Sequence, residues 1–355
     1  MTLCKSQGNG GTLRALATQQ IQSIPQACPL ISALPFLTLL LLFPPHLQAQ
    51  WTLAACAAVS KDYVVGAKLP PSGLFLKTNE EWHHVGFNHP FIVAVDYDPT
   101  DPTTLYLAAG NGLFRAANKA ANWTQLTGSD VTELRDLAID QTDPKTIYFA
   151  HSQGLRVTHD RGATWTELAT NLHRHYVEAI RIDRTQPKRL IIGGEEGLLR
   201  SEDSGKSWTL AGASGWAILR IEQSPHDACY WLATTQGAGL FASHDCGKTF
   251  ENSGRIGVNR DLYSISFDPT NPKRIAIAGW GPGVAISEDG CQTWQERNHG
   301  LPRPDVWSVI FDPGHPGRLY ASVQEESLYV SDDAGVTWKP AGLDGSVARS
   351  MRFIP

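Results

Sequence analysis

From about residue 62 onward the chain runs in short stretches that alternate apolar and polar residues, each stopped by a cluster of Pro, Asp or Gly. Leu262-Tyr-Ser-Ile-Ser-Phe267 and Arg318-Leu-Tyr-Ala-Ser-Val323 show the pattern. A period of two over five or six residues predicts a strand with one buried face. The stops recur as a phrase: Tyr97-Asp98-Pro99-Thr-Asp-Pro102, Ile139-Asp140-Gln-Thr-Asp-Pro144, Ile182-Asp183-Arg-Thr-Gln-Pro187, Phe267-Asp268-Pro-Thr-Asn-Pro272 and Phe311-Asp312-Pro-Gly-His-Pro316. Proline has no N–H to give a ladder, and Asp folds back on its own backbone, so each phrase predicts a turn.

Between the phrases lies a second repeat. Gly197-Leu-Leu-Arg-Ser-Glu-Asp-Ser-Gly-Lys-Ser-Trp208 aligns without gaps with segments opening at Gly112, Gly154, Gly239, Gly283 and Ser327, and an eroded copy runs from Gly73 to Trp82. The closing aromatics fall at 82, 123, 165, 208, 250, 294 and 338, so the period is 41 to 44 residues. Each period holds four short strands, and seven such units predict an all-β, seven-bladed β-propeller of four-stranded antiparallel blades. Aligned on the residue before the turn Asp, the position three earlier reads Ala94, Asp136, Ala179, Ile218, Ser264, Ser308 and Ser350, mostly small as a crowded central channel requires. The aligned Tyr97, Ile139, Ile182, Ile221, Phe267, Phe311 and Phe353 have the opposite parity and are expected between blades. The last segment, Val347 to Pro355, matches an inner strand. Residues 62–85 are expected to supply the other three strands of the first blade, so the C-terminal strand closes the ring. Trp51–Ala58 is the alternative closing strand.

Ser-x-Asp-x-Gly-x-Thr-Trp resembles the Asp-box, or BNR repeat, of sialidases, xyloglucanases, sortilin-type receptor propellers and the photosystem II assembly propeller. The resemblance covers about residue 62 to the end, and it implies that Asp160, Asp203, Asp245, Asp289 and Asp333, with Trp165, Trp208, Trp294 and Trp338, are structural. Asn118 and Ala120 depart from the box, and Cys291 takes a Gly position with Gly290 one place early. Sialidases would need an arginine triad and carry an early Arg-Ile-Pro motif; the nearest string here, Arg352-Phe-Ile-Pro355, is at the wrong end and in the wrong order, which argues against a sialidase. Xyloglucanases share the Asp-Pro-x-x-Pro phrase but form their cleft between two propellers, with a carboxylate from each.

Composition places the protein. Residues 1–49 contain Lys5, Arg14 and no acid, and end in the apolar run Leu30–Phe43 followed by Pro44-Pro45. Fourteen residues suit a signal-peptide core better than a membrane span. The expectation is a signal peptide over 1–49, a propeller over 50–355, export to a periplasmic or extracellular space, and no transmembrane span. Leu53-Ala54-Ala55-Cys56 also resembles a lipobox, with Cys56 as the lipid acceptor; the other reading is a small buried strand residue. A formal net charge of −5 without any like-charged block excludes a nucleic-acid footprint.

Function is sought at the rim where inner strands begin. The candidates there are His89, Arg135, Asp136, His173, His175, Tyr176, Glu178, Arg260, Trp280, Arg303, Trp307 and Arg349; arginines among aromatics suit a carboxylate, a sugar or a peptide terminus. Asp261 and Asp305, at equivalent positions on neighbouring inner strands, are weak candidates for the carboxylate pair of a glycosidase. His173 and His175 would share a strand face, but with no third ligand no metal site is assigned, and no cofactor is expected. A hairpin centred between Gly237 and Ala238 would set Cys229 opposite Cys246. A disulfide there is compatible with export, and closing so short a loop contributes about 3 kcal/mol in the chain-entropy model. The leading reading is an exported, non-catalytic binding or assembly propeller for a peptide, protein or glycan. A xyloglucanase-like or sialidase-like glycoside hydrolase is the alternative.

Overall fold

The computed structural model describes residues 51–355 apart from residues 63, 65–67, 69, 118, 119, 121, 171, 173–175, 254 and 255. The expected signal peptide, Asn118, His173 and His175 therefore lie outside the described residues. Among the described residues twenty-eight strands form seven antiparallel blades of four around an axis, and no helix is long and apolar enough to cross a membrane. The inner strands of blades two to seven are Ile92–Asp98, Leu134–Ile139, Val177–Ile182, Ile218–Gln223, Val258–Phe267 and Val306–Phe311. Blades five and six are also joined near their inner ends, where Gln236 and Ala238 pair with Asp261 and Val258.

Blade one is closed by the C-terminal strand Ser346–Ile354, which is its innermost member. Its second strand is Thr52–Val59, upstream of the 62–85 stretch expected to hold it. Pro70-Pro71 cannot sustain a ladder, whereas the fully buried run Leu53–Cys56 can lie between two neighbours. Cys56 is 1% exposed in the middle of this strand, opposite Leu74 on one side and Ser350 on the other.

The repeated turn between third and fourth strands is the same object five times. The opening Ser or Thr hydroxyl donates to the Asp (2.6–2.9 Å) and accepts from the N–H four residues on (2.8–3.0 Å). The Asp also accepts the hydroxyl of the later Thr or Ser at 2.6–2.7 Å. Two consecutive residues lie in the left-handed region, which is why Gly recurs there. Blade six puts Gly290 (φ 74°) and then Cys291 (φ 73°) in those places, and the Cys291 thiol is buried against the Tyr230 hydroxyl at 3.1 Å. In blade two, Ala120 takes the left-handed place (φ 65°).

Several closing tryptophans also do more than cover their own blade. Trp82, Trp165 and Trp338 donate their indole N–H to Ala341, Leu126 and Arg297 carbonyls on the outer strand region of the preceding blade. Each is a staple between blades, joined by a polar bond as well as by apolar area.

These bonds hold Asp160, Asp203, Asp245, Asp289 and Asp333 at about 2. Side-chain hydroxyls are the largest cause in Asp160, Asp203 and Asp289; in Asp245 and Asp333 burial pushes upward most strongly and is outweighed. Carboxylates depressed in the folded state stabilise it fully above their unfolded value near 3.9 and progressively less as pH falls toward 2. Thermal melts are therefore expected to show midpoints falling steeply between about pH 4 and pH 2, with a shallower slope in Asp203→Asn. A flat midpoint over that window would show that the turns do not set acid stability.

Blade five departs from the expected register in two places. Its inner strand pairs Ile218 with Thr235 and Gln223 with Trp231, and Ser224 donates its N–H to Tyr230 as the turn aspartates do in other blades. Gln223 and Arg220, not Ile221 and Ile218, thus occupy the aligned positions. The turn here is built on Ser224, whose hydroxyl accepts the His226 N–H at 3.2 Å in place of an Asp carboxylate. The ladder between its second and third strands pairs Trp231 with Ser243 and Thr234 with Leu240, one residue away from the register that sets Cys229 opposite Cys246. The two sulfurs are nevertheless bonded. The ladder ends at Ser243, and the left-handed backbone at Cys246 (φ 62°) brings its N–H to the Cys229 carbonyl at 3.1 Å.

Candidate functional site

Each inner strand carries one irregularity in its pairing near its start, where a residue is skipped between two paired ones. The skipped residues are Val93, Arg135, Glu178, Leu219, Tyr263, Trp307 and Arg349. A bulge turns its extra side chain off the sheet plane, and all seven line one open funnel of about 340 Å³ at the mouth of the ring. The funnel also takes in Tyr176, Glu195 and Gln236.

One side of the mouth is polar. The Tyr176 hydroxyl donates to Glu178 at 2.7 Å, Arg135 lies 3.7 Å from the same carboxylate, and its guanidinium sits 5.1 Å from the Tyr176 ring centre. Burial pushes the Glu178 carboxyl up, and burial together with the Glu178 charge raises the Tyr176 phenol. The other side is aromatic. Tyr263 stacks on Trp307 at 4.4 Å, and Trp280 meets Trp307 edge-on at 5.4 Å. Arg349 lies 5.7 Å from the Trp307 ring centre and 5.2 Å from that of Phe91. Among the described residues Arg349 makes no hydrogen bond or ion pair, and its Nε is buried. Burial lowers its pKa, and the nearby Arg135 charge lowers it further. An arginine held between two rings without an acceptor is a site for an anion. Phe91 and Trp280 keep 53% and 40% of their surface exposed, so the aromatic wall is open to a partner.

The remaining candidates fall elsewhere. Asp136 is not at the rim but 4% exposed inside the channel, where it accepts from Arg181 at 2.6 Å and from the Ile180 N–H at 3.2 Å. Arg303 is paired with Glu326 at 2.6 Å, Arg260 packs over Gly281, and neither borders the funnel. Asp261 accepts from the Tyr263 hydroxyl at 3.2 Å, and Asp305 pairs through its backbone with Trp280 and Gln324; neither carboxylate lines the funnel. His89 accepts the Phe91 N–H, and burial lowers its pKa. No group of three metal-ligating side chains exists among the described residues.

Below the mouth the channel keeps the expected small residues, Ala94, Ser264, Ser308 and Ser350, and adds charges that were not expected. Inner strands have a free edge toward the axis, and side chains of the preceding blade serve it: Asp136 takes the Ile180 N–H, and Ser264 and Ser266 take those of Val309 and Phe311. Arg181 bridges Asp136 and Glu222, the latter at 2.7 Å; Arg220 Nε donates to Glu222 at 3.0 Å; Arg352 lies 3.1 Å from Asp96. Apart from Asp136 and Arg220, these charges stand two residues further along their strands than the aligned small position, on the same face. Extending the alignment by that step would have exposed them.

No family model matches the chain, and no curated protein matches it. Solved structures do. A GH74 xyloglucanase from Xanthomonas campestris superposes with a TM-score of 0.60 at 18% identity, over 70% of this chain and 45% of that one. A GH74 enzyme from Niastella koreensis gives 0.66 at 17%, over 78% and 51%. YCF48 bound to D1 peptide gives 0.56 at 17%, over 70% and 81%. The chain spans about half the length of the two GH74 structures. At these identities the likeness is one of fold, the β-propeller.

Proposed function

We propose that this chain is an exported, non-catalytic binding module whose funnel holds a carboxylate-bearing, extended segment of a protein partner. The observation that carries the reading is Arg349, held between the Phe91 and Trp307 rings and, among the described residues, left without an acceptor, beside Arg135 in the same mouth. A glycosidase needs two carboxylates facing one bond; the funnel acids are Glu178 and Glu195, of which Glu178 is already engaged by Tyr176 and Arg135, while Asp261 and Asp305 lie outside. YCF48, a propeller of the same fold, is known in complex with a peptide, which makes a peptide a suitable kind of occupant for a propeller of this fold. Export is supported by the apolar run Leu30–Phe43 and by the Cys229–Cys246 bond, which an oxidising compartment favours.

The test is an array of acidic and neutral peptides probed with the purified protein. Retention of acidic peptides is expected, weakened about tenfold or more in Arg349→Gln, since a bond to a charged group is worth roughly 1.5–3 kcal/mol. Hydrolysis of xyloglucan or another polysaccharide, abolished by Asp261→Ala or Asp305→Ala, would overturn the reading in favour of a hydrolase.

A further inference from the structure

Beneath the funnel the axis of the ring holds two polar chambers. One, of about 200 Å³, is lined by Ser264, Ser266 and Ser308; the other, of about 140 Å³, by Asp96, Asp136 and Arg181. Of all the residues lining the funnel and the two chambers, Arg220 alone borders all three. It stands where the other blades place Ala94, Asp136, Ala179, Ser264, Ser308 and Ser350, so a long cationic side chain enters space that most other blades leave to a small residue. Its Nε is bonded to Glu222 at 3.0 Å, and among the described residues its Nη groups have no acceptor. Arg352 and Ser350, from the closing strand, border both chambers beside it, and among the described residues Arg352 has a single ion pair, to Asp96 at 3.1 Å.

We propose that the space between Arg220 and Arg352 is a binding site for a small oxyanion of the size of phosphate or sulfate, reached through the funnel. A guanidinium presents its N–H groups as a planar fork that fits two oxygens of one anion. The acids nearby do not occupy it: Asp136 is taken by Arg181, Glu222 by Arg181 and by Arg220 Nε, and Asp96 by Arg352. Chambers of this size admit such an ion, and the guanidinium N–H groups of Arg220 that have no acceptor among the described residues, with Arg352 beside them, offer it donors. The first chamber also borders Arg349 and Tyr263, but the proposed contacts are Arg220 and Arg352, so variants at Arg220 separate this site from the peptide reading.

The experiment titrates the full chain with sodium phosphate, sodium sulfate and sodium acetate against sodium chloride at equal ionic strength. Thermal shift and calorimetry are the readouts. Phosphate and sulfate are expected to raise the melting midpoint saturably, acetate less, and chloride not at all. Arg220→Gln is expected to weaken phosphate at least tenfold, with Arg220→Lys in between, the second variant serving if the first fails to fold. Equal shifts from all four salts, or an affinity unchanged in both variants, would overturn the proposal. An unchanged affinity would place the anion at the funnel arginines, whereas failure of the peptide array alone would leave the chamber site untouched.

Discussion

A chain ending at Gly345 is expected to show no cooperative thermal transition. Residues 346–355 form the innermost strand of blade one, paired with Thr52–Val59 from Thr52↔Ile354 to Val59↔Ser346. Their apolar side chains pack on both neighbours. Ile354 joins the cluster containing Ile92 and Leu107 of blade two, whereas Ala348, Met351 and Phe353 join the one containing Tyr320 and Leu328 of blade seven. Losing Met351, Phe353 and Ile354 from burial alone removes about 5–9 kcal/mol at the usual value per large apolar side chain. That is comparable with the total stability of an ordinary domain. It also bares the edge of Thr52–Val59 to the channel, a surface prone to pair with other chains. The synthetic peptide of residues 346–355, added in trans, is expected to restore a transition at a midpoint that rises with peptide concentration. A truncated protein that melts cooperatively within a few degrees of the full chain would show that the ring does not depend on its closure. Arg349 lies on the same strand, so truncation also removes the proposed anion contact at the mouth.

The blades were legible because their turns are locally encoded. A Ser, an Asp and a left-handed residue at fixed spacing make the same set of bonds wherever they occur, and the Asp-Pro phrase marks the end of each inner strand. Closure was legible because the final segment carries an inner-strand pattern with no blade left to hold it. Blade five was misread where it lacks the Asp: Ser224 does the same capping, and the apolar Ile218 and Ile221 drew the alignment two residues toward the N-terminus. The funnel was half legible. Arg135, Glu178, Trp307 and Arg349 were singled out as rim residues, and each turns out to be the skipped residue of its strand. What alternation could not show is that a bulge there breaks strand parity and turns all seven equivalent residues into one mouth. Asp261 and Asp305 were placed by the same alignment, yet they lie before the bulge and outside the funnel. Most of the channel charges stayed hidden because they are partners from different blades: Arg181 meets Asp136 and Glu222, and Arg352 meets Asp96, only once the ring is closed, whereas Arg220 and Glu222 pair within one strand that was read two residues out of place.

Glu222→Ala is expected to destabilise the fold by about 2–3 kcal/mol in denaturant titrations. Glu222 accepts from Arg181 of blade four and Arg220 of its own strand, and Arg352 of blade one adds its field. Burial alone pushes its carboxyl upward, but the three arginines outweigh burial and hold it at about 2. Breaking a buried pair from one side costs roughly 3–5 kcal/mol, since the remaining charges are left uncompensated. Here 23% of the side chain still meets the channel, so water offsets part of that cost. The depressed carboxylate contributes its stability above the unfolded value near 4.3 and loses it as pH falls toward 2. The difference between wild type and Glu222→Ala is therefore expected to be full at pH 7 and to shrink below about pH 4. In an Arg220→Gln background the same substitution is expected to cost less, because one of the stranded charges is already gone. Phosphate, if it occupies the chamber between Arg220 and Arg352, is expected to recover part of the loss in Glu222→Ala by supplying the missing negative charge. A Glu222→Ala protein within 0.5 kcal/mol of wild type would show that the axial arginines are solvated by the channel and do not depend on this carboxylate.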